Sequence, residues 1–296
     1  MLVLAIFGPT AVGKTGVAIA VAERLRERGE DPVAISCDAL QVYRGLEVLT
    51  GAPTVEERER LEHRLVGIAP VDDEFSAGRF AELARAEIDS LLTETRRPIV
   101  VGGTGLYLRA ALAEIDLRPP VPAEVRETVE REIELRGAEA LHAELDPDVA
   151  AGIHPNDRKR IARTLELQRA GMEPPPGGGG ELWTARLRHP TALFGLVMDR
   201  DELAARIDAR VDAMIEGGAA DEVIEADRAG ASRTARAAIG FEELLAGNVD
   251  TMKSAQRAYA RRQLTWMRKM PGVRLIDRTG RDDSDLAEEI VAELDT

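Results

Sequence analysis

Only one cysteine, Cys37, occurs in the 296 residues. That excludes an intrachain disulfide and any zinc site built on cysteine. Cys37 itself is expected to be a small buried residue at a strand end. The four histidines are scattered, which argues against a His-rich metal site. No apolar run approaches about 18 residues, so no membrane span is expected. Met1 leads straight into a strand-like run, leaving no room for a signal or transit peptide; a cytoplasmic protein is the expectation. No repeat recurs at solenoid periods. Positive charge is also short: 39 Lys and Arg stand against 53 Asp and Glu, a net charge of −14. Taken whole, that disfavours a nucleic-acid binder.

The distribution matters more than the sum. Acidic residues crowd positions 55–62 and 123–148, while two stretches are basic. One is Arg158–Arg169. The other holds Lys253, Arg257, Arg261, Arg262, Arg268, Lys269, Arg274 and Arg278. Either run alone reads as a solvated helix face. Two of them in an acidic chain point towards an anionic partner. Hydrophobic content of 44% and charged content of 31% are those of an ordinary globular protein.

What is present is concentrated first in residues 2–15. The apolar run LVLAIF leads into GPTAVGKT and then into the helical GVAIAVAERLRERG. Strand, glycine-rich turn and helix match the phosphate-loop pattern GxxxxGK[ST] in full. Gly8 and Gly13 allow the backbone N–H groups to converge, and the helix adds its positive end. Lys14 supplies a point charge, and Thr15 can offer a hydroxyl to Mg²⁺. The loop implies a polyphosphate or diphosphate, without implying a nucleotide.

Further strands are expected in DPVAISCD, HRLVGIAPVDD, PIVVGG, TALFGLVMD and VRLID, with helices between most of them. ALQVYRGLEVLTGAP reads as a loop. Ser76 is expected to cap a helix with Phe80, Leu83, Ala84, Ile88, Leu91 and Leu92 on its apolar stripe. Near-continuous apolar strands alternating with helices mean a parallel sheet covered on both faces. The fold class is α/β, a phosphate-loop parallel-sheet core with an all-helical insertion. The core spans 1–115 and 191–296; the insertion spans 116–190 and includes the flexible break EPPPGGGG. Ligands of such sheets sit at the carboxyl ends of strands. Gly8–Thr15, Asp38 and Gly102–Gly105 all fall there and should converge.

Asp38 could hold Mg²⁺ through water or act as a general base. GGTG at 102–105 is either a tight turn or a close approach to a ligand with Thr104 presenting its hydroxyl. Arg206 and Arg210, one helical turn apart, are either surface pairs or bidentate donors to a diphosphate. Trp266 and Met267 are expected in the core.

The ordered set GPTAVGKT, ISCDALQVYRGL, VGGTGLYL, HPNDRKRIARTLE, RIDARVDAMIEGG, AIGFEELL and RRQLTWMRKMPGVRLID resembles the tRNA dimethylallyltransferases over roughly residues 3–277. The resemblance implies transfer of a dimethylallyl group from its diphosphate to N6 of the adenosine 3′ of the anticodon, with Mg²⁺. It implies that Gly8, Pro9, Thr10, Ala11, Val12, Gly13, Lys14 and Thr15 bind the diphosphate, with Thr15 at the metal. Asp38 would accept the amine proton, and Thr104, Lys14 and Arg210 would complete the catalytic group. The tRNA anticodon stem-loop would meet Asp38, Ala39, Leu40, Gln41 and Thr104. It would also meet Lys159, Arg160, Ile161, Ala162 and Arg163, and Arg236, Gly240 and Phe241. A monomer without a membrane partner is implied. Ala39 stands where the family usually has serine, Ala52 replaces a lysine, and the glycine run at 177–180 is unusual. The competing readings are a prenyltransferase acting on free adenylate, a phosphate-loop kinase and a non-catalytic RNA-binding module.

Overall fold

The computed structural model describes residues 1–115, 117–118, 120–174 and 186–294. Two compact units emerge, Met1–Ala113 with Ala185–Thr296, and Glu114–Thr184. Most of the break expected at EPPPGGGG, with the glycine run at 177–180, lies outside the described residues.

The larger unit is built on six parallel strands: β1 (Val3–Phe7), β2 (Pro32–Ser36), β3 (His63–Arg64), β4 (Arg97–Gly102), β5 (Thr191–Val197) and β6 (Arg274–Asp277). Their order is β3-β2-β4-β1-β5-β6. Each expected strand is present within a residue or two of its apolar run, except that β3 is confined to His63–Arg64 and the apolar stretch after it lies outside the strand. β1 and β2 are buried along their whole length, as strands covered on both faces require. Register fixes where the site forms. Phe7 pairs with Gly102, and Ser36 pairs with Val101. The carboxyl ends of β1, β4 and β2 are therefore level, and the loops leaving them start side by side.

The Lys14–Glu27 helix lies against the C-terminal Asp283–Glu293 helix. Val17, Val21, Leu25, Leu286, Ile290 and Val291 share one core cluster there with Leu4 and Ile6 of β1. Ser76 caps the Ala77–Thr93 helix, accepting from the Arg79 N–H. Its stripe is narrower than the spacing implies, because Leu83 is exposed while Phe80, Ala84, Ile88 and Leu91 are buried. The stretch expected as a loop after Asp38 contains one helical turn, Glu47–Thr50. The Glu222 carboxylate, far along the chain, accepts from the Val48 and Leu49 N–H groups, both at 2.9 Å. That distant carboxylate satisfies the turn's free donors, so no local signal announces it.

The smaller unit contains the Ala123–Arg136, Ala138–His142, Pro147–Ala150 and Arg158–Arg169 helices, and no strand among its described residues. Val129, Ile133, Leu141, Leu145, Ile153, Ile161 and Leu165 form its core. Asp157 caps the last helix, accepting from the Arg160 N–H at 3.2 Å. No described helix is long and apolar enough to cross a membrane.

Candidate active site

The loop after β1 has the geometry of an anion cradle. Ala11 and Gly13 sit in left-handed conformations, with φ of 64° and 91°. Such residues between right-handed neighbours turn successive N–H groups into one concavity. Gly13 tolerates its φ freely, whereas Ala11 does so at a steric cost. Val12 points away from the concavity and is fully buried, so it contributes through its backbone. No side chain caps the Lys14–Glu27 helix and no acid lies in its first turn, which keeps its positive end for a ligand. Lys14 Nζ donates to the Pro9 carbonyl at 2.9 Å. Thr15 is partly exposed beside it.

The loop after β4 comes to the same place. Thr104 precedes the Gly105–Leu112 helix, which also lacks a side-chain cap. Thr104 Oγ1 meets the Tyr259 hydroxyl at 3.2 Å. The glycines are required by close approach. A Cβ on Gly102 would collide with the Cys37 carbonyl, and one on Gly103 with the Gln263 amide. One on Gly105 would enter the Trp266 ring. Gly102→Ala is therefore expected to destabilise the fold by about 1–3 kcal/mol, because the obstacle is backbone and cannot rotate away. Thermal unfolding measures this; an unchanged midpoint would show that the two loops can separate.

Asp38 follows β2. Its Oδ1 accepts from the Leu40 N–H at 3.0 Å, which holds the carboxylate at the strand end. Its charge acts on Lys14, Arg210 and Tyr259, so the loops after β1, β2 and β4 share one electrostatic centre. Burial, then the Arg210 charge, lowers the Lys14 pKa to about 7, while Asp38 opposes the shift. Burial lowers Arg210 too, but a guanidinium remains charged. Tyr259 is pushed up to about 12, chiefly by burial and then by Asp38. Cys37 is a buried free thiol whose pKa is raised by the same two causes, which makes it inert.

Arg210 is the cation that reaches in from the Arg200–Glu216 helix. It donates to Thr10 Oγ1 at 3.2 Å and to the Thr50 and Gly51 carbonyls at 3.3 and 3.4 Å. Arg206, one turn earlier, pairs with Glu202 at 3.5 Å, the surface arrangement. Gln41 accepts from Ser36 and donates to Gly51, fixing the loop that carries Ala39, Leu40 and the partly buried Ala52.

Other expected RNA contacts divide by burial. Lys159 and Arg160 are exposed, and Ala162 and Arg163 are partly so. Ile161 is fully buried and anchors its helix in the smaller unit's core. Phe241 is placed in the same way. It is fully buried beneath the Arg236 guanidinium, 5.0 Å from its ring centroid. Gly240 caps the Phe241–Leu245 helix at φ 107°, where a Cβ would strike Leu49 and Met252. Arg236 is itself held by Asp227 and Glu242.

Much of the basic charge is similarly committed. Lys253 pairs with Asp212 at 2.6 Å, and Arg257, Arg274 and Arg278 pair with Asp208, Glu293 and Asp283. In the smaller unit Arg158 and Arg169 pair with Glu134 and Glu132 at 3.6 and 2.7 Å. The solvated ion-paired face is the better description for these residues except Arg278, which is buried with its guanidinium against Gly13 of the β1 loop. Met267 is in the core as expected, while Trp266 is partly exposed against Gly105.

Sequence reasoning missed Tyr259 and Gln263. Both lie on one face of the Val249–Met267 helix and touch the glycine loops. Gln263 was visible within RRQLTWMRKM, but only its buried contacts reveal what it holds.

Comparison with known proteins narrows this geometry. Residues 41–270 match the family model described as IPP transferase. A tRNA dimethylallyltransferase of Anaeromyxobacter dehalogenans is 42% identical over 290 residues, covering 92% of this chain and 94% of the relative. One from Acetivibrio thermocellus is 36% identical over 307 residues, covering 99% of this chain and 96% of the relative. The crystal structure of a full-length tRNA isopentenylpyrophosphate transferase from Bacillus halodurans is also similar. It has a TM-score of 0.71 and 34% identity, with coverage of 99% of this chain and 96% of that one. With one family model over most of its length and near-full-length relatives well above 30% identity, the chain belongs to the IPP transferase family, the tRNA dimethylallyltransferases.

Proposed function

We propose that this transferase moves the dimethylallyl group of dimethylallyl diphosphate to N6 of the adenosine 3′ of the anticodon in tRNA. The observation that carries the reading is a carboxylate, Asp38, whose charge acts on both Lys14 and Arg210 beside a loop otherwise arranged for an anion. Two uncapped helix ends, Lys14 and Arg210 suit a diphosphate. Asp38 suits the proton of an incoming amine. Gly8–Thr15 would hold the diphosphate, and Arg210 would partly neutralise it. The C1–O bond of the prenyl group breaks with its electron pair on the diphosphate. The N6 lone pair forms the new C–N bond, and the amine proton passes to Asp38. Thr104 would stand on the acceptor's side, and the adenine would leave its stack to reach Asp38.

Mg²⁺ fits this donor set. Among the described residues no cluster of His, Cys, Asp or Glu could hold a metal alone. Mg²⁺ commonly takes few protein oxygens together with substrate phosphates. Thr15 Oγ1 would be the protein ligand, and the ion when bound would neutralise charge on the departing diphosphate.

For RNA, Lys159, Arg160 and Arg163 of the helical unit and Arg236 of the larger one are the cations that would meet the stem-loop. Ile161, Gly240 and Phe241 would hold those cations in place. Incubation with labelled dimethylallyl diphosphate, Mg²⁺ and either unmodified tRNA or AMP tests the reading. Label in tRNA alone is expected. Label in AMP alone, or phosphorylation of a small substrate by ATP, would replace it.

A pH effect follows from the lowered Lys14 pKa of about 7. A bound anion raises that pKa again, so binding above neutrality takes up a proton. Affinity for dimethylallyl diphosphate should fall by up to roughly tenfold per pH unit above pH 7. Calorimetry at pH 8 in buffers of different ionisation heat should register net proton uptake. Binding without uptake would mean that Lys14 is already charged in the empty site.

A further inference from the structure

The Val249–Met267 helix places Tyr259, Gln263 and Trp266 on one face, against Thr104, the two glycine loops and Gly105 respectively. Gln263 is the central contact. Its side chain is buried, 4% exposed. Oε1 accepts from the Thr10 N–H of the β1 loop at 2.8 Å, and Nε2 donates to the Gly103 carbonyl of the β4 loop at 2.8 Å. The amide orientation is dictated chemically, because an N–H needs the oxygen and a carbonyl needs the NH₂. We propose that Gln263 is the positioning residue of this site. Its amide clamps the diphosphate cradle to the Thr104 loop and so sets the distance between leaving group and acceptor.

Three features make a clamp the better description than core filling. Both ends of the amide are used, on different loops. The Thr10 N–H and the Gly103 carbonyl are bridged by this one side chain. Gly103 has no room for a side chain because the amide occupies that space. Without Gln263 the Thr10 N–H and the Gly103 carbonyl lose buried partners at once, and each such loss is unfavourable.

The clamp has a proton-dependent test. In Gln263→Glu the ionised carboxylate still accepts from Thr10 but faces the Gly103 carbonyl with no donor. When protonated, the same side chain again has one acceptor and one donor. Burial raises the pKa of such a carboxyl, so recovery should begin well above its ordinary range. Gln263→Met keeps the volume and has neither function. Tyr259, which also hydrogen-bonds Gln263, stands beside it with Arg262, and Lys14, Cys37, Asp38, Glu57, Tyr107 and Arg210 are further charged or titratable groups of the site. Each variant value is therefore divided by the wild-type value at the same pH.

Two readouts are taken from the full-length protein between pH 5 and 8.5, binding of inorganic diphosphate and transfer to tRNA. At pH 8.5 both variants should bind diphosphate about tenfold more weakly and lose about tenfold or more in kcat, with the KM for tRNA unchanged. On acidification Gln263→Glu should return towards wild type, and Gln263→Met should not. Wild-type behaviour of Gln263→Met would overturn the clamp, leaving only charge repulsion in the Glu variant. Parallel, pH-independent losses in both variants would also overturn it, showing a purely structural role. The inference rests on the proposed transfer for its kcat arm only. If the wild type fails to modify tRNA, that reading fails, while diphosphate binding still decides the clamp.

Discussion

Replacement of Asp38 by Ala is expected to reduce prenyl transfer by about 10²–10⁴-fold, the contribution of a positioned general base. Affinity for tRNA should change little, because the exposed cations remain. The Asn variant is the sharper test. An Asn oxygen can still accept from the Leu40 N–H, so the 3.0 Å bond that fixes the β2 loop survives. What is lost is the ability to take a proton, together with the negative charge that acts on Lys14 and Arg210. Asp38→Asn should therefore be as slow as Asp38→Ala, with the melting temperature of wild type. Full rate in the Asn variant would assign the amine proton to another acceptor. Tyr259 is unsuited to that role, because its pKa is pushed up to about 12 and it is protonated at neutral pH.

Lys14→Ala carries the second large effect. Charge accumulates on the diphosphate as the C–O bond breaks, and an adenine amine is a weak nucleophile. Stabilising the leaving group is then the largest catalytic contribution, with one donor worth about 10²–10³-fold in kcat. In the empty site the Lys14 ammonium is folded onto the Pro9 carbonyl, so it is free to move to a ligand by exchanging one acceptor. The loss should appear mainly in kcat, with a smaller rise in the KM for dimethylallyl diphosphate. A rise in KM alone would mean that Lys14 holds substrate and transition state equally well. Arg210 cannot substitute for it, because its guanidinium is tied to Thr10 and to the Thr50 and Gly51 carbonyls.

The parts of this site that sequence makes legible are those specified locally. A glycine loop between an apolar strand and a helix dictates its own conformation, and a carboxylate ending a buried strand must lie at the sheet's carboxyl edge. Parallel order then brings Gly8–Thr15, Asp38 and Thr104 together, because β1, β4 and β2 are neighbours with level ends. What is not legible is specified at a distance. The turn at Glu47–Thr50 depends on Glu222, and the joint between the glycine loops depends on Gln263. Neither pairing has a periodic or compositional signature. Charge was legible in its position but not in its availability, since Lys253, Arg257 and Arg274 are each neutralised by an acid far along the chain, and Arg278 by Asp283 just beyond the run. Burial likewise distinguishes Ile161 and Phe241 from the cations beside them, which a motif alone treats alike.

The opening loop GPTAVGKT by itself implies a polyphosphate or diphosphate and leaves open whether a phosphate is transferred or departs. Set beside Asp38 and Thr104, the same cradle serves a phosphate that departs instead of one that is transferred. Dimethylallyl diphosphate labelled with carbon in the prenyl group and phosphorus in the terminal phosphate distinguishes the two directly. After reaction with unmodified tRNA, all of the transferred carbon should lie on the adenosine 3′ of the anticodon, with one free diphosphate released for each. Phosphorus label in the RNA, or carbon label on free adenylate with none in tRNA, would contradict the account.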